Sequence, residues 1–448
     1  MTQDALSAAL LEARVPRYTS YPPANRFGPG VGAATAARWL SAVPPGAAVS
    51  LYIHVPFCRR LCFFCACRTQ GTRSDAPIDR YLDHLEREMA RVAALLPEGV
   101  RVARLHLGGG TPTILSPDRI DRMADALVAR FSFASDTEVS VEIDPCDCDT
   151  ARLDALLRMG LSRVSVGVQD FDPRVQATIG RVQSVEATAA LVHEVRARGV
   201  ASVNFDLVYG LPHQTEASLD ATLDTVLDLA PERLALFGYA HVPWVAKRQR
   251  VIPEAALPDP ELRLRLAARA RERLEGAGHV PIGIDHFARP GDPLAEAARS
   301  GRLRRNFQGY TTDDAETLIG LGPSAISSFP QGIAQNAAAT GDWMGRIGDG
   351  DLATARGHVL SPLDRVAAEV IERLMCEARA DLGAIARRHA VEPRTLVARA
   401  ERALSELPGL GTLAQGVLTA AEPATLRLLA SYFDPGFAAG AGGYSQAS

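Results

Sequence analysis

The sequence predicts an α/β protein centred on an open, six-stranded parallel barrel, a partial TIM-like (β/α)6 arrangement. An N-terminal arm precedes it and a C-terminal helical, winged-helix-like unit follows. Two observations carry this reading. Between residues 49 and 240, six strand-like runs alternate with stretches of helical periodicity. The chemically unusual residues fall where those strands end, which is where such barrels keep their chemistry. Composition permits it: 448 residues, 47% hydrophobic and 22% charged, suffice for a large core and two units.

The elements follow in order. VSLYIHV (Val49–Val55) is the first strand and leads into a cysteine-rich loop. Tyr81 to Leu96 then carries apolar positions at helical spacing. VARLHLGGGTPT is a strand ending in Gly108, Gly109, Gly110 and Thr111, and SPDRIDRMADALVARF is a helix capped by Ser116. Glu138–Pro145 pairs with helix Ala151–Met159, Leu161–Gln169 with Val185–Arg198, and Ser202–Gly210 with Glu216–Leu229. Glu232–Ala240 is the sixth strand, and with no visible seventh or eighth repeat the barrel is expected to stay open. Right-handed crossovers curl such units into a barrel. From about Leu360, SPLDRVAAEVIERLMCEARADLGAIARRH reads as helical with Ser361 as cap. GLGTLAQGVLTAAEPATLRLLASYF reads as a strand pair and a helix, and GFAAGAGGYSQAS as a flexible tail. The expected organisation is arm and lead-in helix over 1–48, barrel with extension over 49–358, helical unit over 359–435 and tail over 436–448.

A net charge of −4 gives no general electrostatic case for nucleic acid or an anionic membrane, even with a winged-helix-like unit. The N-terminus lacks a basic segment followed by an apolar one, and no apolar run reaches 18 residues. The expectation is a cytoplasmic, reducing setting, where clustered cysteines point to metal or redox chemistry. No coiled coil is visible, and a monomer is expected.

HVPFCRRLCFFCACRT holds four of the seven cysteines. A core strand that merely contains thiols seldom has four so close. Structural zinc calls for a second short-spaced ligand pair, and Cys146–Cys148 in DPCDCD is the one available. An iron–sulfur cluster is the third reading: C-x3-C-x2-C gives three thiolates on one tight loop, leaving one iron of a four-iron cube open to a small molecule. At the other strand ends stand Glu142 and Asp144, Gln169, and Tyr239-Ala240-His241, with Asp206 inside the fifth strand. Singly, a glycine run is a turn and a strand-end aspartate a helix cap. Together they line one rim. Glycines admit a ligand close to backbone, Glu142 and Asp206 can accept from hydroxyls or an ammonium, and Arg181 can neutralise a carboxylate.

The cysteine spacing resembles that of the radical S-adenosylmethionine (SAM) enzymes. The resemblance implies that Cys58, Cys62 and Cys65 bind a [4Fe-4S] cluster whose fourth iron takes SAM, with Phe64 beside the adenine and Cys67 a non-ligand. Further blocks narrow it: PRYTSYP, YIHVPFC, GGGTPT, VEIDP, VGVQDF, DLVYGLP, YAHVP, DHFARP and RRNFQGYTT. In that order they resemble the oxygen-independent coproporphyrinogen III oxidase family from about Tyr18 to Ser328. The RYTSYP arm and NFQGYTT block separate it from haem-binding chaperone relatives. The resemblance implies two SAM positions, one at Tyr52, Gly109, Glu142 and Ile326. The other is at Phe64, Gly110, Thr111, Gln169, Arg181, Asp206 and Ala240. It implies catalytic roles for Tyr52, Arg305 and Gln308, with Arg17, Arg181 and Tyr310 as further partners of a tetracarboxylate substrate. The implied reaction is oxidative decarboxylation of two propionates of coproporphyrinogen III to vinyl groups, with electrons from a donor such as flavodoxin or ferredoxin. Arg68 and Arg304 depart from the family's usual residues and leave room for a paralogue with altered activity; a haem-binding chaperone-like paralogue and a radical SAM methyltransferase on another substrate are the alternative readings.

Overall fold

A computed structural model describes residue 10 and residues 14–437; the tail expected beyond 437 and the remainder of the first 13 residues lie outside the described residues. Six parallel strands form the centre: β1 (Ala48–Val55), β2 (Arg101–Gly109), β3 (Ser132–Ile143), β4 (Leu161–Gln169), β5 (Ser202–Tyr209) and β6 (Arg233–Gly238). They are adjacent in chain order, the arrangement that short right-handed crossovers produce. The crossover helices include α1 (Ala76–Leu95), α2 (Pro117–Val128), α3 (Thr150–Arg158), α4 (Val185–Ala197) and α5 (Glu216–Leu229).

Each strand presents two unlike faces, because side chains alternate across a sheet. Leu51, Ile53, Leu105, Leu107, Val139, Val141, Val164 and Val166 share one core with the helices. The intervening residues, among them Tyr52, His54, His106, Glu142, Ser165 and Asp206, face a cavity inside the curve of the sheet. An apolar shell therefore holds a polar interior.

The sheet is wider than the six expected strands. Leu318–Leu321 pairs in parallel with β1, matching Ser50 to Leu318 and Ile53 to Leu321. Antiparallel strands Ile326–Phe329, Gly332–Asn336 and Thr354–Val359 continue that edge, and His286–Ala288 and Val280–Ile282 extend the other. Among the described residues the sheet is open and has twelve strands. The extra strands escaped sequence reading because they are three to six residues long and carry no helical crossover. Helix Pro260–Gly276 was also unanticipated, and its low mean hydropathy explains why.

The helical run expected after Leu360 is interrupted. Ser361 caps helix Pro362–Glu377 in a capping box with Asp364. That helix ends at Ala378 in the left-handed region (φ 55°), and strand Arg379–Asp381 follows. This strand joins Gly411–Ala414 and Val417–Ala420, so the expected pair is a three-stranded sheet. The arm belongs to this unit's core: Leu10, Val15 and Tyr18 cluster with Val370, Leu374, Leu426 and Leu429. Arg26 fastens it with ion pairs to Asp364 at 3.0 Å and Asp434 at 3.1 Å. Among the described residues no helix is long and apolar enough to cross a membrane.

Candidate active site

The cysteine loop leaves β1 and lies across the carboxyl ends of the strands. The glycine run beneath it is demanded by this packing. A Cβ on Gly110 would stand 2.4 Å from the Phe57 carbonyl, and one on Gly109, at φ 105°, would stand 2.5 Å from the His54 ring. The Gly110 and Thr111 amides instead donate to the Val55 and Phe57 carbonyls, at 2.7 and 2.8 Å. The close approach read from GGGTPT is thus, first, one between the second strand and the cysteine loop.

Cys58, Cys62 and Cys65 line one cavity of about 400 Å³. All seven cysteines are free. Burial pushes the Cys58 thiol up to about 11, against a hydrogen bond from Thr111. Cys62 is raised by burial, with Arg181 opposing. Cys65 goes the other way: hydrogen bonds from the Cys67 side chain and amide, aided by Arg248 and Arg181, outweigh its burial. Arg181 is firmly placed. It pairs with Asp144 at 3.0 Å, reaches Cys62 Sγ at 3.6 Å and donates to the Gly167 carbonyl at 2.7 Å.

A second cavity of about 460 Å³ adjoins the first. Cys67, Gly109, Glu142, Ser165, Asp206 and Phe237 line both. The two expected SAM sets fall on the two cavities, except that Gly109, Glu142 and Asp206 line both. Phe64, Gly110, Thr111, Gln169, Arg181, Asp206 and Ala240 line the cysteine cavity. Tyr52, Gly109, Glu142 and Ile326 line the second, with Gln308 and Tyr310. Glu142 lies 3.3 Å from His106 Nε2 and accepts the Gly109 amide at 3.1 Å. Burial pushes its carboxyl up, but these partners and His54 outweigh it and hold it below the usual range. Asp206 accepts from Ser165 and Asn204, each at 2.9 Å, yet burial and the charge of Glu142 raise it to about 6. Tyr52 bonds His54 Nδ1 at 3.0 Å and stacks on His106; burial keeps its phenol protonated. Arg305 is on neither cavity wall. Its guanidinium lies 4.3 Å over the Tyr310 ring and 3.8 Å from Asp285.

Comparison with known proteins settles the family. The Radical SAM superfamily model matches residues 52–226. A Paracoccus denitrificans protein named oxygen-independent coproporphyrinogen III oxidase is 56% identical over 368 residues, 82% of each chain. One of the same name from Cereibacter sphaeroides is 49% identical across all of both chains. The chain belongs to the oxygen-independent coproporphyrinogen III oxidase family. The solved structure of Escherichia coli coproporphyrinogen III oxidase, a radical SAM enzyme, covers 94% of this chain and 97% of its own, at TM-score 0.89 and 38% identity.

As a radical SAM member of this oxidase family, the chain works with a [4Fe-4S] cluster and SAM. The residues present fit the cluster. Cys58, Cys62 and Cys65 lie on one loop and line one cavity, and three such thiolates suit three irons of a four-iron cluster. Two arginines, Arg181 and Arg248, add positive charge beside the thiols. Of the two departures from the family pattern, Arg68 lines the second cavity and Arg304 lies on neither cavity wall. The Arg68 carbonyl accepts from His54 at 3.0 Å, and Arg304 pairs with Glu372 at 2.9 Å.

Sequence reading missed one positioning residue. Gln249 is fully buried, and its amide donates to the Phe64 carbonyl at 2.7 Å and the Ala240 carbonyl at 3.1 Å. The adjacent Arg248 donates to Thr69. In KRQRV nothing distinguishes these two from a solvated polar turn. His106, Ser165 and Asn204 were also missed; period-two alternation of polar residues in the strands was the available signal.

Proposed function

We propose that this chain converts coproporphyrinogen III to protoporphyrinogen IX without oxygen, decarboxylating two propionates to vinyls. One observation carries the reading: a three-thiol cavity opens onto a second polar cavity through shared walls, in a chain whose relatives bear that name. When bound, the cluster and SAM supply one-electron chemistry that removes a hydrogen atom from the β-carbon of a propionate. The protein's residues do the rest. Cys58, Cys62 and Cys65 hold the cluster, and Arg181 and Arg248 offset the thiolate charge. Phe64, Gly110, Thr111, Gln169, Arg181 and Ala240 would hold one SAM beside the cysteine loop and Tyr52, Gly109 and Ile326 the other in the adjoining cavity, with Asp206 and Glu142 on the shared wall. Ionised Glu142 suits an ammonium, and Asp206 suits a ribose hydroxyl. Tyr52 and Gln308 position the reacting propionate, while Arg17 and Tyr310 meet the other carboxylates; Arg305, expected to be catalytic, backs the Tyr310 ring at 4.3 Å instead. Gln249 keeps the cysteine loop seated. The donor is a low-potential carrier such as flavodoxin or ferredoxin, and the setting is a cytoplasmic monomer, consistent with seven free cysteines.

The test is anaerobic. Reconstituted protein receives SAM, a reductant, an electron acceptor and coproporphyrinogen III, and protoporphyrin and 5′-deoxyadenosine are followed. Both products form in the wild type and neither in Cys62→Ala, which also loses iron. Deoxyadenosine without protoporphyrin would move the substrate to another molecule. Neither product, with the cluster intact, would favour a haem-binding role.

A further inference from the structure

The second cavity reaches deeper than the residues that the proposed reaction uses. It runs down the inside of the barrel to Arg163, near the start of β4, and Arg233, at the start of β6. We infer that these two arginines form a carboxylate-binding site at the inner end of the second cavity. The ligand is an acid group of the molecule the cavity holds, either a substrate propionate or the methionine carboxylate of SAM. This rests on the proposed reading that the cavity takes one of these two molecules, and it adds residues at the end away from the thiols.

Strand pairing puts both side chains inside. Side chains alternate across a sheet, so Arg163 shares a face with Ser165 and Arg233 with Phe237, all four on the cavity wall. Across the ladders Arg163 stands level with Ser140, and Arg233 with Asn204. Barrels of this kind ordinarily fill that depth with branched apolar side chains. Here it carries two guanidinium groups, each held at its Nε. Arg233 is 7% exposed at its side chain, and its Nε donates to both Asp292 oxygens, at 2.8 and 2.9 Å. Among the described residues its Nη1 and Nη2 have no hydrogen-bond partner, yet neither is sealed from open space. The space that Arg233 lines is the cavity. Arg163 donates through Nε to Ser140 at 3.2 Å, and its Nη1 meets Glu138 only at 3.6 Å.

The surroundings indicate an anionic ligand. Glu138 and Asp292 hold the arginines from behind, and neither lines a cavity. Glu138 lies closer to Arg104, at 2.9 Å, than to Arg163, and Asp292 also accepts the Leu294 amide as a helix cap. The carboxylates that do line the second cavity are Glu142 and Asp206. They stand two residues nearer the rim than Ser140 and Asn204, the residues level with the arginines. Donors of a buried guanidinium are costly to leave unpaired. The paired Nη groups of an arginine fork match a carboxylate bidentately, and a second cation beside them favours a charged oxygen over a neutral one.

The experiment uses the full-length reconstituted enzyme, with iron content as the control for an intact cluster. Two quantities are measured on each protein: the number of SAM molecules bound per cluster, and the affinity for coproporphyrin III, the air-stable tetracarboxylate, by fluorescence. Arg163→Gln and Arg233→Gln are each expected either to weaken the porphyrin roughly tenfold or more, as loss of a charge-assisted contact does, or to remove one of the two proposed SAM molecules. Arg163→Lys should recover part of the loss. Weakened porphyrin binding with SAM retained identifies a propionate as the ligand. Loss of a SAM with the porphyrin still bound identifies the methionine carboxylate. Porphyrin affinity within about twofold of wild type, with the SAM count unchanged in both variants, would overturn the site. Should neither variant fold, wild-type crystals soaked in bromide carry the test: an anomalous peak between Arg163 and Arg233 is expected, and its absence would overturn the proposal. A wild type that does not bind coproporphyrin III would sink the substrate reading alone, and the SAM count and the bromide peak would then decide the site.

Discussion

At the scale of single residues, the site depends on side chains that touch no reacting atom. Gln249 bonds two backbone carbonyls, one on the cysteine loop beside the third thiol and one at the end of the sixth strand. Gln249→Ala removes both hydrogen bonds, at about 0.5–1.5 kcal/mol each. The expected result is a folded protein with normal far-ultraviolet dichroism that loses iron several-fold faster on gel filtration. Iron retention equal to wild type would deny Gln249 this role. The cysteines and strand-end residues were legible because their spacing is chemically unusual. Gln249 was not, because a side chain whose function is to bond distant backbone leaves no trace in local sequence. Arg305 shows the opposite limit: the motif brought attention to it, but not the fact that Tyr310 stands between it and the second cavity.

At the scale of elements, a buried carboxylate locks the early helix to the late strands. Glu88 on α1 accepts from the Gly322 amide at 2.7 Å, Asn336 at 2.7 Å and the Trp343 indole at 3.1 Å. Burial nevertheless raises its carboxyl to about 7, against those three bonds. The sign follows. An acid whose folded pKa lies above its unfolded value binds its proton more tightly when folded. Its contribution is full below about 4.5 and is lost as pH rises towards 7. The Tm advantage of wild type over Glu88→Gln should therefore shrink between pH 4.5 and 7; a constant difference would show that Glu88 does not titrate there. The strands and helices of the repeat were readable because each spans at least six residues with a clear period. The edge strands and the break at Ala378 were not, since their pairing is decided by distant chain.

At the scale of the molecule, the arm connects the two units. Arg17 reaches Gly238 on the barrel, while Tyr18 and Tyr21 bond Asp434 of the C-terminal unit, each at 3.2 Å. Deleting residues 1–23 should leave the cluster absorbance intact but reduce protoporphyrin formation at least about tenfold, by exposing the site to water and removing Arg17. Full turnover by the truncated protein would show the arm to be dispensable. The parallel pairing of β1 with Leu318–Leu321 has a bearing on synthesis. The strand that delivers the cysteine loop is the first of the sheet to leave the ribosome, and one of its edges stays bare until residue 318 and its neighbours emerge. A nascent chain stalled before that point carries an open, apolar strand beside its thiols, a surface prone to pairing with other chains. Metallation before that point would begin on an unfinished wall, so orderly assembly calls for loading the cluster after Leu318–Leu321 has emerged and paired.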